Sequence, residues 1–253
     1  MVFMSHQENI VIVGATSGIG SALAMSLAAS GRLLLLAGGQ SQGLTDLAKR
    51  LPPGSVLDLV PGDFRRADDV EQCRLRILAQ ERINGFAYLS SELRTGPVSS
   101  FRIEELREVY EVSVFAAFVL AQASLARSGP GSSLVFVSSI DAHRHPSSIP
   151  SVAYDGAKAA LESLAQSIAV ECGASGIRSN CVVPGLIRTA MTEGFFSAEF
   201  DGPRAAFLES IPLHRPGLPD DVAALIQFLL SAEAAYISGA VIPVDGGFLA
   251  AGM

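Results

Sequence analysis

Asn9-Ile10-Val11-Ile12-Val13-Gly14-Ala15-Thr16-Ser17-Gly18-Ile19-Gly20 is an apolar, β-branched run that passes into a glycine-rich turn. An amphipathic stretch follows at once, with Leu23, Ala24 and Leu27 on one helical face. Glycines let a backbone come close to a pyrophosphate, and the free N–H groups and positive end of a helix stabilise its charge. Gly14, Thr16, Ser17, Gly18, Ile19 and Gly20 are therefore candidate dinucleotide-binding residues. The glycines are separated by three residues and then one, which departs from the usual dinucleotide fingerprint. Close packing of strand on helix is the competing explanation of such a turn.

Outward from this unit the same alternation continues. Apolar runs at Leu33–Ala37, Val56–Val60, Gly85–Leu89, Leu134–Val137, Arg178–Val183 and Val241–Val244 read as strands. Stretches near 18–30, 41–51, 67–82, 103–127, 152–173 and 219–231 have apolar residues three or four apart and read as helices. Seven strands alternating with helices predict an α/β fold, a mostly parallel sheet covered on both faces. No linker or repeat interrupts the pattern, so residues 1–253 read as one domain. The long irregular stretch from Pro184 to about Pro219 exceeds ordinary connections and reads as a substrate lid.

The 253 residues carry 18 Lys+Arg against 25 Asp+Glu, a net charge of −7, with a pI of about 5.1. Such a balance, without a basic stripe, argues against a nucleic-acid partner. Only 17% of residues are charged and 49% are hydrophobic, so more apolar surface than usual is buried, in part between subunits. Apolar runs such as Val112–Ala121 fall short of the ~20 residues that span a bilayer. Met1–Glu8 lacks a secretory pattern, and Cys73, Cys172 and Cys181 lack metal-site spacing, so reduced thiols in a cytoplasmic protein are expected.

Tyr154-Asp155-Gly156-Ala157-Lys158 lies near the start of a long helix, with Tyr154 and Lys158 about one turn apart on one face. A lysine cation beside a phenol, together with the positive helix end, is expected to lower the phenol pKa. Such a tyrosine exchanges a proton with a carbonyl oxygen near neutral pH. Taken by itself, the pair equally suits a solvated helix face. At the end of the second strand, Gly38-Gly39-Gln40-Ser41 offers neither a carboxylate for ribose hydroxyls nor an arginine for a 2′-phosphate. The absence of a repelling charge, with Gln40 and Ser41 as donors, favours NADP(H) over NAD(H).

From about Asn9 to Phe248 the chain resembles the short-chain dehydrogenase/reductase family. The motifs that carry the resemblance occur in order: the glycine loop, Asp63, Ser138-Ser139, Tyr154 with Lys158, Asn180, Pro184-Gly185 with Thr189, Gly239, and Val244-Asp245-Gly246-Gly247. The resemblance implies a Rossmann-like, doubly wound domain that transfers hydride between nicotinamide and a carbonyl or alcohol. It implies that Tyr154 is the acid/base and that Lys158 binds the nicotinamide ribose. Ser139, by family spacing rather than Ser138, would donate to the substrate oxygen. Asp63 and Phe64 would contact adenine, and Pro184, Gly185, Ile187 and Thr189 would border the nicotinamide. The family also implies a homodimer or homotetramer.

Two departures stand out. Ser90-Ser91-Glu92-Leu93 replaces the family's Asn-Asn-Ala-Gly, with Ser90 expected to retain a contact to the adenosine ribose. Val112-Ser113-Val114 replaces the catalytic asparagine, with Ser113 expected to hold the relay water through fewer hydrogen-bonding groups. His143 and His145 read as an exposed loop at the pocket rim rather than a metal site, and no metal is expected. Met191, Phe195, Phe196, Phe200 and Phe207 either line an apolar pocket or pack the lid onto the body, while Glu193, Glu199 and Asp201 read as solvated. The expected activity is reduction of an apolar ketone, or oxidation of the matching secondary alcohol. A non-catalytic dinucleotide-binding subunit or sensor and a 3-oxoacyl-thioester reductase are the alternatives.

Overall fold

In β1 (Glu8–Val13), Ile10 and Ile12 belong to one apolar core and Val11 and Val13 to another. Successive strand side chains point to opposite faces, so a run that is apolar at every position is buried on both. The structure, a computed structural model, describes residues 8–29, 31–38, 41–145, 150–197 and 201–252. Among them, β1, β2 (Gly31–Gly38), β3 (Val56–Gly62), β4 (Gly85–Tyr88), β5 (Ser133–Val137), β6 (Arg178–Pro184) and β7 (Val241–Val244) form one sheet. Its order is β3-β2-β1-β4-β5-β6-β7 and every pairing is parallel.

One face is covered by α1 (Gly18–Leu27), α2 (Ser41–Arg50) and α8 (Pro219–Leu230), through Leu23, Leu27, Leu44, Leu47, Val222, Ile226 and Leu229. The other is covered by α3 (Ala67–Leu78), α5 (Ala116–Leu125) and α6 (Val152–Cys172), through Cys73, Ile77, Ala117, Leu120, Leu161 and Ala165. The chain winds outward from β1 to β3 and then returns past β1 to β4. At such a reversal the connections after the two central strands diverge and leave a crevice at their carboxyl ends. The glycine turn after β1 and the segment after β4 border that crevice.

Two expectations need correction. The helix read over 103–127 is α4 (Ile103–Tyr110), a π turn at Glu111–Phe115, and α5. The helical segment Ile103–Leu125 is long and apolar enough to cross a membrane by length and composition, a property hidden when only unbroken apolar runs are counted. Here Val112, Ala116, Ala117, Leu120 and Ala121 face the sheet core instead. The stretch from 184 to 219 is not irregular throughout. It holds a 3-10 turn at Glu193–Phe196 and the helix α7 (Asp201–Glu209), where Asp201 pairs with Arg204. Gly202 and Pro203 disguised α7, although a proline in the first turn is compatible with a helix.

Candidate active site

Ser17 caps α1, its Oγ accepting from Gly20 N at 3.0 Å, while Ser17 N donates to Gly14 O at 3.0 Å. Gly14 has φ +86°, and a Cβ there would lie 2.8 Å from Ser90 N. A Cβ on Gly20 would lie 2.2 Å from Gly14 O. The loop therefore needs glycine at both positions, which explains them by packing as well as by ligand approach. The first turn of α1 carries no acidic residue, so its positive end stays open to an anion.

Above the loop run two adjoining recesses of about 320 and 300 Å³, which share Thr16, Ser17, Leu89, Ser91 and Met191. The first adds Gly14, Asp63, Phe64, Arg65, Ser90 and Glu92. The second adds Gly18, Ile19, Ser139, Tyr154, Lys158, Pro184, Gly185, Ile187 and Thr189. Nearly every expected site residue thus borders one cleft. Gly20 and Ser113 are the exceptions: Gly20 is buried in the first turn of α1, and Ser113 is fully buried behind Ser91, its Oγ 3.4 Å from Ser91 Oγ and accepting from Glu92 N at 3.4 Å. A larger recess of about 590 Å³ near Ile211–Gly217 includes neither Tyr154 nor Lys158.

Tyr154 and Lys158 occupy the first turns of α6 and are nearly buried, 9% and 2% exposed. Lys158 Nζ lies 5.3 Å from the Tyr154 ring centroid and donates to Val137 O at 2.8 Å. Burial lowers the Lys158 pKa to about 8. The Tyr154 phenol moves the other way. Burial above all, then the carboxyls of Asp141 and Asp155, push its pKa up, against hydrogen bonds with Ser139 and Ser91 that lower it. The expected lowering by Lys158 is not found in the protein alone, because removing a phenolate from water costs more than these neighbours return.

The two serines ending β5 divide. Ser138 Oγ turns to α6, 2.6 Å from Glu162 Oε1 and 3.0 Å from Lys158 O. Ser139 Oγ meets the phenol, donates to Asp141 Oδ2 at 3.1 Å and accepts from Asp141 N at 3.2 Å. Asp63 Oδ1 and Oδ2 each accept from Arg65 at 2.9 Å, which holds the Asp63 carboxyl below its ordinary range. The Phe64 ring is buried in the core, so it borders the first recess without projecting into it.

Several motif residues hold the framework. Asn180 Nδ2 donates to Ile237 O at 2.9 Å and its Oδ1 accepts from Ala240 N at 3.0 Å. Asp245 accepts from the N–H groups of Gly247 and Leu249 at 2.9 and 2.8 Å. Phe195 and Phe207 stack edge to face at 5.9 Å, and Phe207 meets Phe248 at 5.1 Å. Phe196 lies under Arg188 at 5.1 Å. These rings pack the segment onto the body, whereas Met191 lines the cleft. Phe200, Glu199, Gly39, Gln40 and the Ser41 side chain lie outside the described residues.

His143 pairs with Glu162 and His145 with Asp155, each at 3.0 Å, and no group of three or more potential metal ligands occurs among the described residues. Cys73 and Cys181 are buried free thiols, with pKa pushed up to about 12 by burial, and Cys172 is half-buried. Sequence reasoning missed Asp141, Ser91 and Arg65. Ser91 and Arg65 line the cleft and Asp141 sits behind it against Ser139, positions that come from how the chain folds rather than from any motif spacing.

A family model described as enoyl-(acyl carrier protein) reductase matches residues 14–249. An uncharacterized oxidoreductase of Mycobacterium tuberculosis is 31% identical, over 98% of this chain and 93% of its own. The structure of a short-chain type dehydrogenase/reductase from Mycobacterium ulcerans superposes with a TM-score of 0.86 at 28% identity, over 98% of this chain and 92% of that one. A Beutenbergia cavernae protein whose crystal structure contains NADP at low occupancy superposes with a TM-score of 0.84 at 28% identity, over 98% and 99% of the two chains. With the parallel sheet, the glycine turn and the Ser139, Tyr154 and Lys158 cluster, these matches place the chain in the short-chain dehydrogenase/reductase family of oxidoreductases.

Proposed function

We propose that the protein is an NAD(P)-dependent reductase of apolar ketones, able to oxidise the matching secondary alcohols. The observation that carries this reading is the meeting of Tyr154, Ser139 and Lys158 in a recess that continues to the glycine turn. A bound nicotinamide dinucleotide supplies the hydride. Gly14, Thr16, Ser17, Gly18, Ile19 and Gly20 would hold its phosphates at the open end of α1, where glycine backbone and unopposed N–H groups suit an anion. Ser90, Asp63 and the Phe64 backbone would border the adenosine end. Pro184, Gly185, Ile187 and Thr189 would border the nicotinamide end, and Lys158 the nearby ribose.

Tyr154 donates the proton to the developing alkoxide, and its raised pKa keeps the phenol protonated near neutral pH, which suits reduction. Ser139 polarises the carbonyl by a hydrogen bond to its oxygen. Lys158 holds positive charge near the phenol and so stabilises the phenolate left by proton transfer. Ser113 supports this group through Ser91. Leu89, Val137, Ile187, Ala190 and Met191 favour an apolar substrate. The segment 184–219, pinned by Phe207 on Phe248, acts as the lid of a single-domain enzyme.

NADP(H) is the proposed dinucleotide, since the end of β2 carries no carboxylate to repel a 2′-phosphate; the NADP in the Beutenbergia cavernae relative is consistent with this choice. Exposed Phe115 and Phe118, each 52% exposed, together with Val170 support a homodimer or homotetramer. Turnover of a ketone and secondary-alcohol panel with each dinucleotide tests the reading. Ketone reduction with tighter binding of NADPH than NADH is expected. Dinucleotide binding without turnover of any panel member would overturn the enzymatic assignment.

A further inference from the structure

We propose that Asp141 is a positioning residue, whose carboxyl decides whether the Ser139 hydroxyl donates to a substrate oxygen or turns away from it. The inference rests on the reductase reading above and deepens it. A serine hydroxyl has one proton and two acceptor lone pairs. In this structure Asp141 engages the proton and one lone pair: Ser139 Oγ donates to Asp141 Oδ2 and accepts from Asp141 N, with the Tyr154 phenol close beside it. A carboxylate at Asp141 thus holds the proton that a substrate carbonyl would need.

Adding one proton to Asp141 reverses the arrangement. A carboxylic acid donates to Ser139 Oγ, which frees the serine hydrogen for a carbonyl oxygen in the recess and leaves Tyr154 to donate to the same oxygen. No bond other than the Asp141 O–H forms in this change. The groups facing Asp141 are Asp155, Lys158 and Tyr154 on α6 and His145 on the loop that precedes it. Burial first, and Asp155 next among the raising influences, hold the Asp141 carboxyl above its ordinary range, while Ser139, His145 and Lys158 act against them. The carboxyl therefore titrates closer to neutrality than an exposed aspartate does. Capping of the Ile140–Ala142 turn is the purely structural alternative, and it predicts no pH-dependent effect on turnover.

The test is kcat/KM for ketone reduction against pH in the wild type, Asp141→Asn, Ser139→Ala and the double variant, with dinucleotide titration of each as the check of folding. The wild type is expected to lose activity as pH rises through the Asp141 ionisation. Asp141→Asn should lack that limb, because its amide donates to Ser139 at every pH. In the Ser139→Ala background the same substitution should leave the profile where it was, since the effect acts through Ser139. If Asp141→Asn fails to bind dinucleotide, Asp141→Glu replaces it and should keep the limb at a displaced midpoint. A wild-type limb that persists unmoved in the variant overturns the inference alone. Absence of wild-type turnover removes the reductase reading and this inference with it.

Discussion

Lys158 is almost wholly buried, and its ammonium has one carbonyl partner, Val137 O. An unfolded lysine keeps its proton up to about pH 10.4, whereas Lys158 releases it at about 8. Between those values the unfolded chain binds more protons, so this residue makes stability rise with pH. The gain from pH 8 to 10 amounts to about 2 kcal/mol. Urea unfolding of the dinucleotide-free protein should show this rise in the wild type and its loss in Lys158→Met; parallel pH dependences would contradict it. Tyr154 acts oppositely, since its raised pKa withdraws stability once an unfolded tyrosine ionises above about pH 10. The sequence placed Tyr154, Lys158 and Ser139 at one site by spacing and order. It misjudged the phenol because burial and the Asp141 carboxyl depend on chain segments that meet only after folding, and it did not weigh the adjoining Asp155 carboxyl.

At the scale of elements, Ser113 lies in the π turn at Glu111–Phe115 and is fully buried, set back from the cleft. A π turn displaces the usual backbone pairing and leaves a carbonyl for another donor. Tyr88, fully buried on β4, donates its hydroxyl to Val112 O. Tyr88→Phe leaves that buried carbonyl without its donor and should destabilise the fold by about 1–3 kcal/mol, read as a shift of the urea midpoint. No shift would mean that the carbonyl finds another partner. Strands were legible from apolar runs, and β7 at Val241–Val244 coincides with its run. The π turn left no mark in the apolar spacing of 103–127, and α7 was hidden by Gly202-Pro203, which reads as a loop until packing of Phe207 on Phe248 holds the segment.

Across the whole molecule, two buried cores sandwich the sheet, and the reversal between β1 and β4 brings the glycine turn within one cleft of α6. Apolar rings left at the surface, Phe115 and Phe118, argue for self-association. Sedimentation at micromolar concentration should give two or four chains, and a monomer would remove that part of the reading. The proposed reaction depends on the Tyr154 phenol giving up its proton beside a carbonyl polarised by Ser139. The most direct test is ketone reduction by Tyr154→Phe, with dinucleotide affinity measured on the same preparation. The account predicts a fall in kcat of about 10²–10⁴-fold with binding retained; turnover equal to the wild type would contradict it.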